Sequence, residues 1–218
     1  MTPSGWTKGV VRIPYLAHPA LVAAVNAPRL SAAYDALVGE GRWVPPSAVG
    51  SLPLRFPSSE DAGDTGWHVD MALGFDRPDF MDWRVNVRSD GRALLVLMLF
   101  SEVGEDDAPT RLRLGSHRAV ARRLLPHGLG GLTLRDLAAD GFEETAGCEE
   151  ALATGRAGTV WLCHPFLVHA AQPHRGRRPR LMAQQTLAPA HPFDPALPPS
   201  PVQQAIREAC GLSFGGAP

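Results

Sequence analysis

The stretch ALLVLMLF, residues 93 to 100, is apolar at every position. An apolar run of this length without alternation is typical of a β-strand buried on both faces, although periodicity alone does not exclude a helix. The preceding SDGR, residues 89 to 92, contains an Asp-Gly pair of the kind found in hairpin turns. Before it, WRVNVR, residues 83 to 88, alternates apolar and polar side chains. The middle of the chain is therefore predicted to be β-sheet.

A third β stretch and several helices surround this region. GTVWLCHPFLVHAA, residues 158 to 171, leads through the basic QPHRGRRP into RLMAQQTLA, which predicts two strands joined by a basic turn. Helices are predicted in two pieces within the first forty residues, at TLRDLAADG (133 to 141) with a capping box, and at SPVQQAIREACG (200 to 211). The pattern predicts an α+β, β-rich fold with a double-sheet core and flanking helices.

Length and composition restrict the class of protein. The 218 residues predict a single domain, with a helical cover at 1–45, a β core at 46–190 and a tail with a helix at 191–218. A net charge of −1 gives no field for holding nucleic acid or an acidic membrane. Three widely spaced cysteines and the lack of a long apolar segment lead us to expect a cytoplasmic protein without a disulfide framework.

The motif GWHVD, residues 66 to 70, suggests chemistry. On a strand, His68 and Asp70 project from one face and Val69 from the other, so an imidazole and a carboxylate stand side by side. With one more histidine they form the 2-His-1-carboxylate set that binds non-haem Fe(II) and leaves positions open. The tripeptide alone is equally compatible with a chance pair on a surface strand.

Three histidines are candidates for the third ligand. His164, His169 and His174 all lie in the segment from 158 to 180, and spacing does not choose among them. His174 lies in the basic turn and is expected to be solvated, whereas His164 precedes Pro165 at a break in the strand. His169 has an apolar setting, which also fits an ordinary core histidine.

Four motifs together resemble one known family. They are WHVD, then APTRLRLGSHR at 108 to 118, then GTVWLCHPFLVH, then RPRLMAQ, and they cover residues 65 to 187. In order and spacing they resemble the phytanoyl-CoA dioxygenase-like branch of the Fe(II)- and 2-oxoglutarate-dependent dioxygenases. The resemblance implies a double-stranded β-helix core (jelly roll or cupin-like), with Fe(II), 2-oxoglutarate and O2 as cofactor and cosubstrates. It also implies oxidation of a C–H bond of a small-molecule substrate, most typically hydroxylation, coupled to conversion of 2-oxoglutarate to succinate.

The resemblance also assigns residues. It implies that the metal ligands are His68, Asp70 and His169, and that Arg180 receives the distal carboxylate of 2-oxoglutarate. A planar guanidinium suits this task because it donates two parallel hydrogen bonds to a carboxylate.

Gln184 shares a strand face with Arg180 and is expected to line the same cofactor-binding cavity. The chain departs from the family at Ala171, two residues after the distal histidine, where many members have a Ser or Thr that helps to hold the cosubstrate.

Substrate contacts and alternatives remain open at this stage. Asn86, Arg88, His164 and Trp67 are candidate substrate-orienting residues, and each also fits a packing or solvated role. One alternative function is a cupin-type metal-dependent oxygenase or isomerase that does not use 2-oxoglutarate. Another is a non-catalytic β-sheet binding module with RGRRPR as its contact patch. The expected partner is a small molecule, with no nucleic acid and no membrane.

Overall fold

The computed structural model describes residues 9–58, 62–194 and 196–212. These residues form short strands and helices in alternation. The strands are β1 (Val10–Ile13), β2 (Leu52–Arg55), β3 (Arg84–Val85), β4 (Leu94–Leu99), β5 (Arg111–Arg113), β6 (Leu132–Thr133), β7 (Glu150–Leu152), β8 (Val160–Cys163), β9 (His169–Ala170) and β10 (Met182–Leu187). The helices are α1 (Pro19–Val25), α2 (Pro28–Val38), α3 (His117–Leu124), α4 (Leu134–Ala138) and α5 (Pro201–Ala209).

Two antiparallel sheets carry the core. The large sheet has the order β10-β4-β8, and isolated bridges at Ser51–Gln184 and Arg55–Arg180 place β2 along its β10 edge. The small sheet has the order β7-β5-β9, and a bridge between His68 and His169 adds the GWHVD segment beside β9. With these bridges, and with β1 paired to β2, the large sheet runs β1-β2-β10-β4-β8, and the small sheet runs from the GWHVD segment through β9 and β5 to β7.

The central strand β4 is buried on both faces, as the apolar run predicts. Its odd-numbered leucines pack in one cluster with Leu112 of the small sheet and Met182 of β10, so this inner face of the large sheet looks toward the small sheet. Its even-numbered residues, such as Val96, pack in a second cluster with Tyr34 and other residues of α1 and α2. The helices therefore cover the outer face, and the space between the sheets is left for a site.

Local sequence signals explain the helix boundaries. Both α1 and α2 have a proline in their first turn, where its missing N–H costs nothing. Capping boxes begin α4 and α5: in each, the N-cap hydroxyl accepts from the N3 backbone N–H, and the N3 side chain accepts from the N-cap N–H. These predicted elements are confirmed.

Three predictions about the fold are corrected. WRVNVR is a strand only at Arg84–Val85, because Asn86 accepts hydrogen bonds from the backbone of the turn that follows. The region expected to be only a helical cover contains β1, which pairs with β2. The stretch from 158 to 187 forms three strands, since the chain leaves the sheet between Cys163 and His169.

In the described part of the chain, the hydrogen-bonded strands form small antiparallel sheets and do not close into one continuous barrel. None of its helices combines the length and apolar composition needed to span a membrane. The first eight and the last six residues of the predicted domain, with 59–61 and Pro195, lie outside the described residues.

Candidate metal and cosubstrate site

The structure brings together His68, Asp70 and His169. The two histidines face each other across a backbone bridge, in which each N–H donates to the other's carbonyl oxygen at 2.9 Å. Their ring centroids are 4.3 Å apart. Oδ1 of Asp70 lies 4.0 Å from Nε2 of His169. The three side chains that the sequence singled out thus come from two neighbouring segments and meet at one place.

Each histidine is oriented by its own backbone. Nδ1 of His68 lies 2.9 Å from the carbonyl oxygen of Gly66, and Nδ1 of His169 lies 2.9 Å from that of Leu167. Because a carbonyl oxygen only accepts, Nδ1 carries the hydrogen in the neutral ring and Nε2 keeps its lone pair. The main-chain contact at Nδ1 therefore leaves Nε2 of each histidine available to bind a metal.

His169 is held neutral. Its ring is 1% exposed, and burial, followed by the neighbouring His68 ring, lowers the pKa of His169 to about 4. Its Nε2 is buried and has no hydrogen-bond partner within the described ranges. A neutral imidazole nitrogen of this kind has a lone pair that can bind a metal ion.

Asp70 is paired with an arginine that the sequence reasoning missed. Nη1 of Arg92 lies 2.8 Å from Oδ2 of Asp70, although the two groups are not aligned as a hydrogen bond. Arg92 is itself buried, and it also donates to Oγ1 of Thr186 at 2.7 Å and to the carbonyl oxygen of Met71 at 3.1 Å. No local pattern reveals this contact, because Arg92 lies in the predicted Asp-Gly turn, far along the chain from Asp70.

Two imidazoles and a carboxylate are suitable ligands for a metal ion, but the Asp70 side chain must move closer to His169 before all three can bind one ion. As they stand, no three His, Cys, Asp or Glu side chains of the described residues converge closely enough to hold a metal ion. Adjacent ligands at about 2.1 Å from a metal are about 3.0 Å apart, so Asp70 must approach His169 by about 1 Å. The Asp70 side chain is partly exposed and its ion pair is poorly aligned, so a rotation toward the histidines is accessible.

Arg180 is a buried cation without a carboxylate partner among the residues that the structure describes. Its side chain is 2% exposed and donates to the carbonyl oxygens of Ala108 and, at 3.2 Å, of Pro53. Nε of Arg180 is buried without a partner in the same described region. Burial and the neighbouring Arg55 charge lower the pKa of Arg180 to about 9, so it remains charged at neutral pH. A buried charge of this kind is suited to binding an anion.

Gln184 and Ala171 lie at the edges of this region. Gln184 is half-buried in β10 and is bridged to Ser51, two residues along the same strand face from Met182, which belongs to the inner cluster. Ala171 follows β9 directly and offers only a methyl group. Gln184 therefore lies on the inner face of β10 with Met182, and position 171 offers no hydroxyl group.

Two substrate candidates lie in the turn before β4. Asn86 is 2% exposed and donates to Oδ2 of Asp90 at 2.9 Å and to the carbonyl oxygen of Leu129 at 3.2 Å, so its amide is committed to the turn. Arg88 lines a cavity of about 240 Å³ beside α5, and Arg92 lines the same cavity. Of Asn86 and Arg88, it is Arg88 that lines this cavity.

The other two substrate candidates have structural contacts. The guanidinium carbons of Arg111 and Arg113 lie 4.4 and 4.1 Å from the ring centre of Trp67. His164 stacks on His117 with ring centroids 4.6 Å apart, and both of its nitrogens are used: Nδ1 accepts from the Phe166 N–H, and Nε2 lies 3.2 Å from the Val202 carbonyl oxygen. The contacts of both rings are therefore with structural neighbours.

The expectation of a solvated His174 is wrong. This side chain is 6% exposed, and its Nδ1 accepts from the backbone N–H of Gly176. Burial lowers the pKa of His174, and the charges of Arg180 and Arg55 lower it further, while hydrogen bonding by the Arg178 backbone and the charge of Asp107 oppose them. The basic turn therefore folds inward at this position.

Comparisons with known proteins point to one group of solved structures. No model of a protein family matches the chain, and no curated protein matches it. HygX from Streptomyces hygroscopicus with nickel and 2-oxoglutarate bound is 18% identical, with a TM-score of 0.52 over 85% of this chain and 72% of that one. Apo HygX gives 20% identity and a TM-score of 0.50 over 83% and 72%. At these identities the similarity concerns the fold, which this chain shares with HygX.

Proposed function

We propose that this protein is a non-haem Fe(II)- and 2-oxoglutarate-dependent dioxygenase that oxidises a C–H bond of a small molecule. The observation that carries the proposal is a pair of unsatisfied buried groups. Nε2 of His169 lacks a partner among the described residues, and Arg180 lacks a carboxylate within the same ranges. A metal ion satisfies the first group and a carboxylate the second, and 2-oxoglutarate bound to Fe(II) supplies both.

His68, Asp70 and His169 are the proposed metal ligands. The two Nδ1–H groups are held by backbone carbonyls, so both Nε2 atoms keep lone pairs for a metal. Asp70 contributes Oδ1, the oxygen nearest His169, while Arg92 holds Oδ2 and favours one-oxygen binding. Fe(II) with 2-oxoglutarate and O2 supplies the oxidising chemistry, with decarboxylation of the oxoacid to succinate.

Arg180 is the proposed anchor for the distal carboxylate of 2-oxoglutarate, with Gln184 on the same strand face. The fork of a guanidinium fixes the direction of a carboxylate, which positions the other end of the cosubstrate relative to the metal ligands. The apolar inner cluster, including Leu97 and Leu112, limits the water that reaches this space. HygX, whose fold this chain shares, has been crystallised with nickel and 2-oxoglutarate, which supports the assignment.

The proposed substrate region is the cavity beside α5, which Arg88 and Arg92 line. Arg92 connects this cavity to the proposed metal ligands, because its guanidinium also contacts Asp70. The contacts of Asn86, His164 and Trp67 favour supporting roles for these three residues, and Arg88 is the substrate contact that we retain.

The finer assignments belong to the same proposal. The strand order with bridges, β2-β10-β4-β8 facing His68-β9-β5-β7, is compatible with a double-stranded β-helix. Hydroxylation is the proposed outcome because Asp70 is present to occupy a coordination position. We propose membership of the phytanoyl-CoA dioxygenase-like family on the four sequence motifs, and a single domain over residues 1–218.

The test is an anaerobic titration of the purified protein with Fe(II) and then 2-oxoglutarate. We expect the visible charge-transfer band of the chelate. His169→Ala is expected to weaken metal binding, and Arg180→Gln to weaken 2-oxoglutarate binding while metal binding persists. His127→Ala, which changes an exposed histidine, is the control and is expected to leave both unchanged. Metal binding without a band would favour an oxygenase or isomerase that does not use 2-oxoglutarate, and no metal binding would refute the enzyme assignment.

A further inference from the structure

Arg55 and Arg180 stand directly opposite each other on neighbouring segments. The backbone N–H of Arg55 donates to the carbonyl oxygen of Arg180 at 3.1 Å, and the reverse bond measures 2.8 Å. Residues in such an antiparallel pair project from the same side of a sheet, with Cβ atoms about 4.5 to 5.5 Å apart. Because Arg180 reaches the carbonyl of Ala108, at the start of the small sheet, both side chains enter the space between the sheets.

Both arginines are buried, and their positive charge exceeds the negative charge around them. Arg55 is 3% exposed and donates to both oxygens of Asp64 at 2.6 Å. Arg12, which is half exposed, contacts the same carboxylate at 2.5 Å. Burial alone acts to raise the pKa of Asp64, yet Arg55 and Arg12 lower it. Arg55 and Arg12 therefore share the Asp64 carboxylate, while the hydrogen bonds recorded for the Arg180 side chain within the described ranges go to backbone carbonyl oxygens.

Each of the two buried arginines keeps an unused donor. Nε of Arg55 and Nε of Arg180 are both buried and lack hydrogen-bond partners among residues 9–58, 62–194 and 196–212. Unsatisfied buried N–H groups are costly, and two of them on facing residues are satisfied together by one anion between them. A carboxylate has acceptor sites enough for both.

The side chain at position 171 is a methyl group, which donates no hydrogen bond, so any donor beside Arg180 comes from another residue, and the buried Nε of Arg55 is one such donor. We propose that Arg55 is a second anchor for the distal carboxylate of the 2-oxoacid, acting beside Arg180. This inference rests on the proposed function, and it makes the site selective for 2-oxoacids with a second carboxylate at the far end.

The competing explanation is structural: Arg55 serves only to hold Asp64 and the segment that leads into GWHVD. The two explanations differ in what happens when Asp64 is changed. If Arg55 acts only through Asp64, then Asp64→Asn must weaken cosubstrate binding as much as Arg55→Gln does. If Arg55 binds the cosubstrate, Asp64→Asn leaves that donor in place or frees it further.

The experiment compares two ligands by the charge-transfer band of the anaerobic Fe(II) protein. The ligands are 2-oxoglutarate and 2-oxopentanoate, which has the same number of carbons and no distal carboxylate. The variants are Arg55→Gln, Arg55→Lys, Asp64→Asn and Arg180→Gln, each checked for folding by thermal unfolding without ligand. Arg55→Lys retains the positive charge and loses the planar guanidinium, and it replaces Arg55→Gln in the comparison if that variant does not fold.

We expect Arg55→Gln to raise the Kd of 2-oxoglutarate by about tenfold or more, the loss typical of a charge-assisted hydrogen bond. The Kd of 2-oxopentanoate is expected to change less than about twofold, because that ligand has no group for Arg55. Arg55→Lys should give a smaller loss with the same selectivity, and Asp64→Asn should not weaken binding of 2-oxoglutarate.

Three results would overturn the inference alone, with the proposed function intact. They are a loss confined to Arg180→Gln, an equal loss of both ligands in Arg55→Gln, or a loss in Asp64→Asn that matches the loss in Arg55→Gln. Absence of the band in the unmutated protein, or indifference of 2-oxoglutarate binding to Arg180→Gln, would instead refute the proposed use of 2-oxoglutarate at this site.

Discussion

His164 should make the stability of the protein depend on pH. Its Nδ1 accepts a hydrogen bond and its Nε2 faces a carbonyl oxygen, so the folded protein holds the neutral ring with hydrogen on Nε2. Burial, and after it the charge of the stacked His117, lowers the pKa of His164 to about 3. In the unfolded chain its pKa is about 6.5, so below pH 6.5 the unfolded state binds a proton that the folded state excludes.

The sign and size follow from this difference. Stability from His164 is fully present above pH 6.5 and is lost as pH falls toward 3, at about 1.4 kcal/mol per pH unit. At pH 5 the loss is about 2 kcal/mol, which corresponds to a fall in Tm of about 4 to 8 °C for a domain of this size. His169, with its own lowered pKa, adds a loss of the same sign. The contribution of His164 must therefore be measured as a difference between variants.

The matched variant is His164→Asn. An Asn at this position retains an acceptor for the Phe166 N–H, as in an Asx-turn, and removes the titrating ring. Urea unfolding followed by tryptophan fluorescence gives the free energy of unfolding at pH 7.5 and at pH 5. We expect the variant to be less stable at pH 7.5 and the gap between the two proteins to shrink by about 2 kcal/mol at pH 5. A gap that stays the same at both pH values would refute the reasoning.

Three other substitutions test the site and its supports. Arg92→Gln leaves Asp70 without its positive partner, so we expect the free energy of unfolding to fall by about 2 to 4 kcal/mol without metal. Adding Co(II) should then raise the Tm of the variant by more than it raises the Tm of the unmutated protein, and a smaller rise would contradict this. Trp67→Leu removes the ring that contacts Arg111 and Arg113, so we expect the free energy of unfolding in urea to fall by about 2 kcal/mol. The Kd of 2-oxoglutarate should stay within about twofold, and a larger change would mean that Trp67 contacts a ligand. Gly50→Ala places a methyl group 2.3 Å from the carbonyl oxygen of Gln184, at a φ of +77°. Because β2 must then separate from β10, we expect both the Tm and the affinity for 2-oxoglutarate to fall. Unchanged affinity would mean that this strand pairing does not support the site.

The sequence predicts well the features that short patterns determine. The capping box at Thr133 and the start of the helix after Ser200 are local signals, and both lie where the sequence predicts them. The apolar run at 93–100 indicates burial on both faces, and β4 has that burial. The motifs that contain His68 and His169 lie on segments that pair directly, so these two residues are close in space.

The sequence fails where the deciding contact is distant along the chain. The alternation in WRVNVR predicts a longer strand, but Asn86 binds the backbone of the following turn and ends it. Arg92 and Arg55 have no local mark, because their importance comes from contacts with Asp70 and Arg180 in three dimensions. His174 looks solvated among arginines, and only the inward path of the turn buries it.

The main-chain anchoring of the two histidines has an evolutionary consequence. Each ring is oriented by a carbonyl oxygen two residues earlier in its own segment, so no neighbouring side chain is needed to set it. Walls of the cavity can therefore mutate, and new substrates can be accommodated, while the orientation of both imidazoles is inherited unchanged. We expect directed evolution at Arg88 and the residues of α5 that line the cavity to alter substrate preference with little loss of metal affinity.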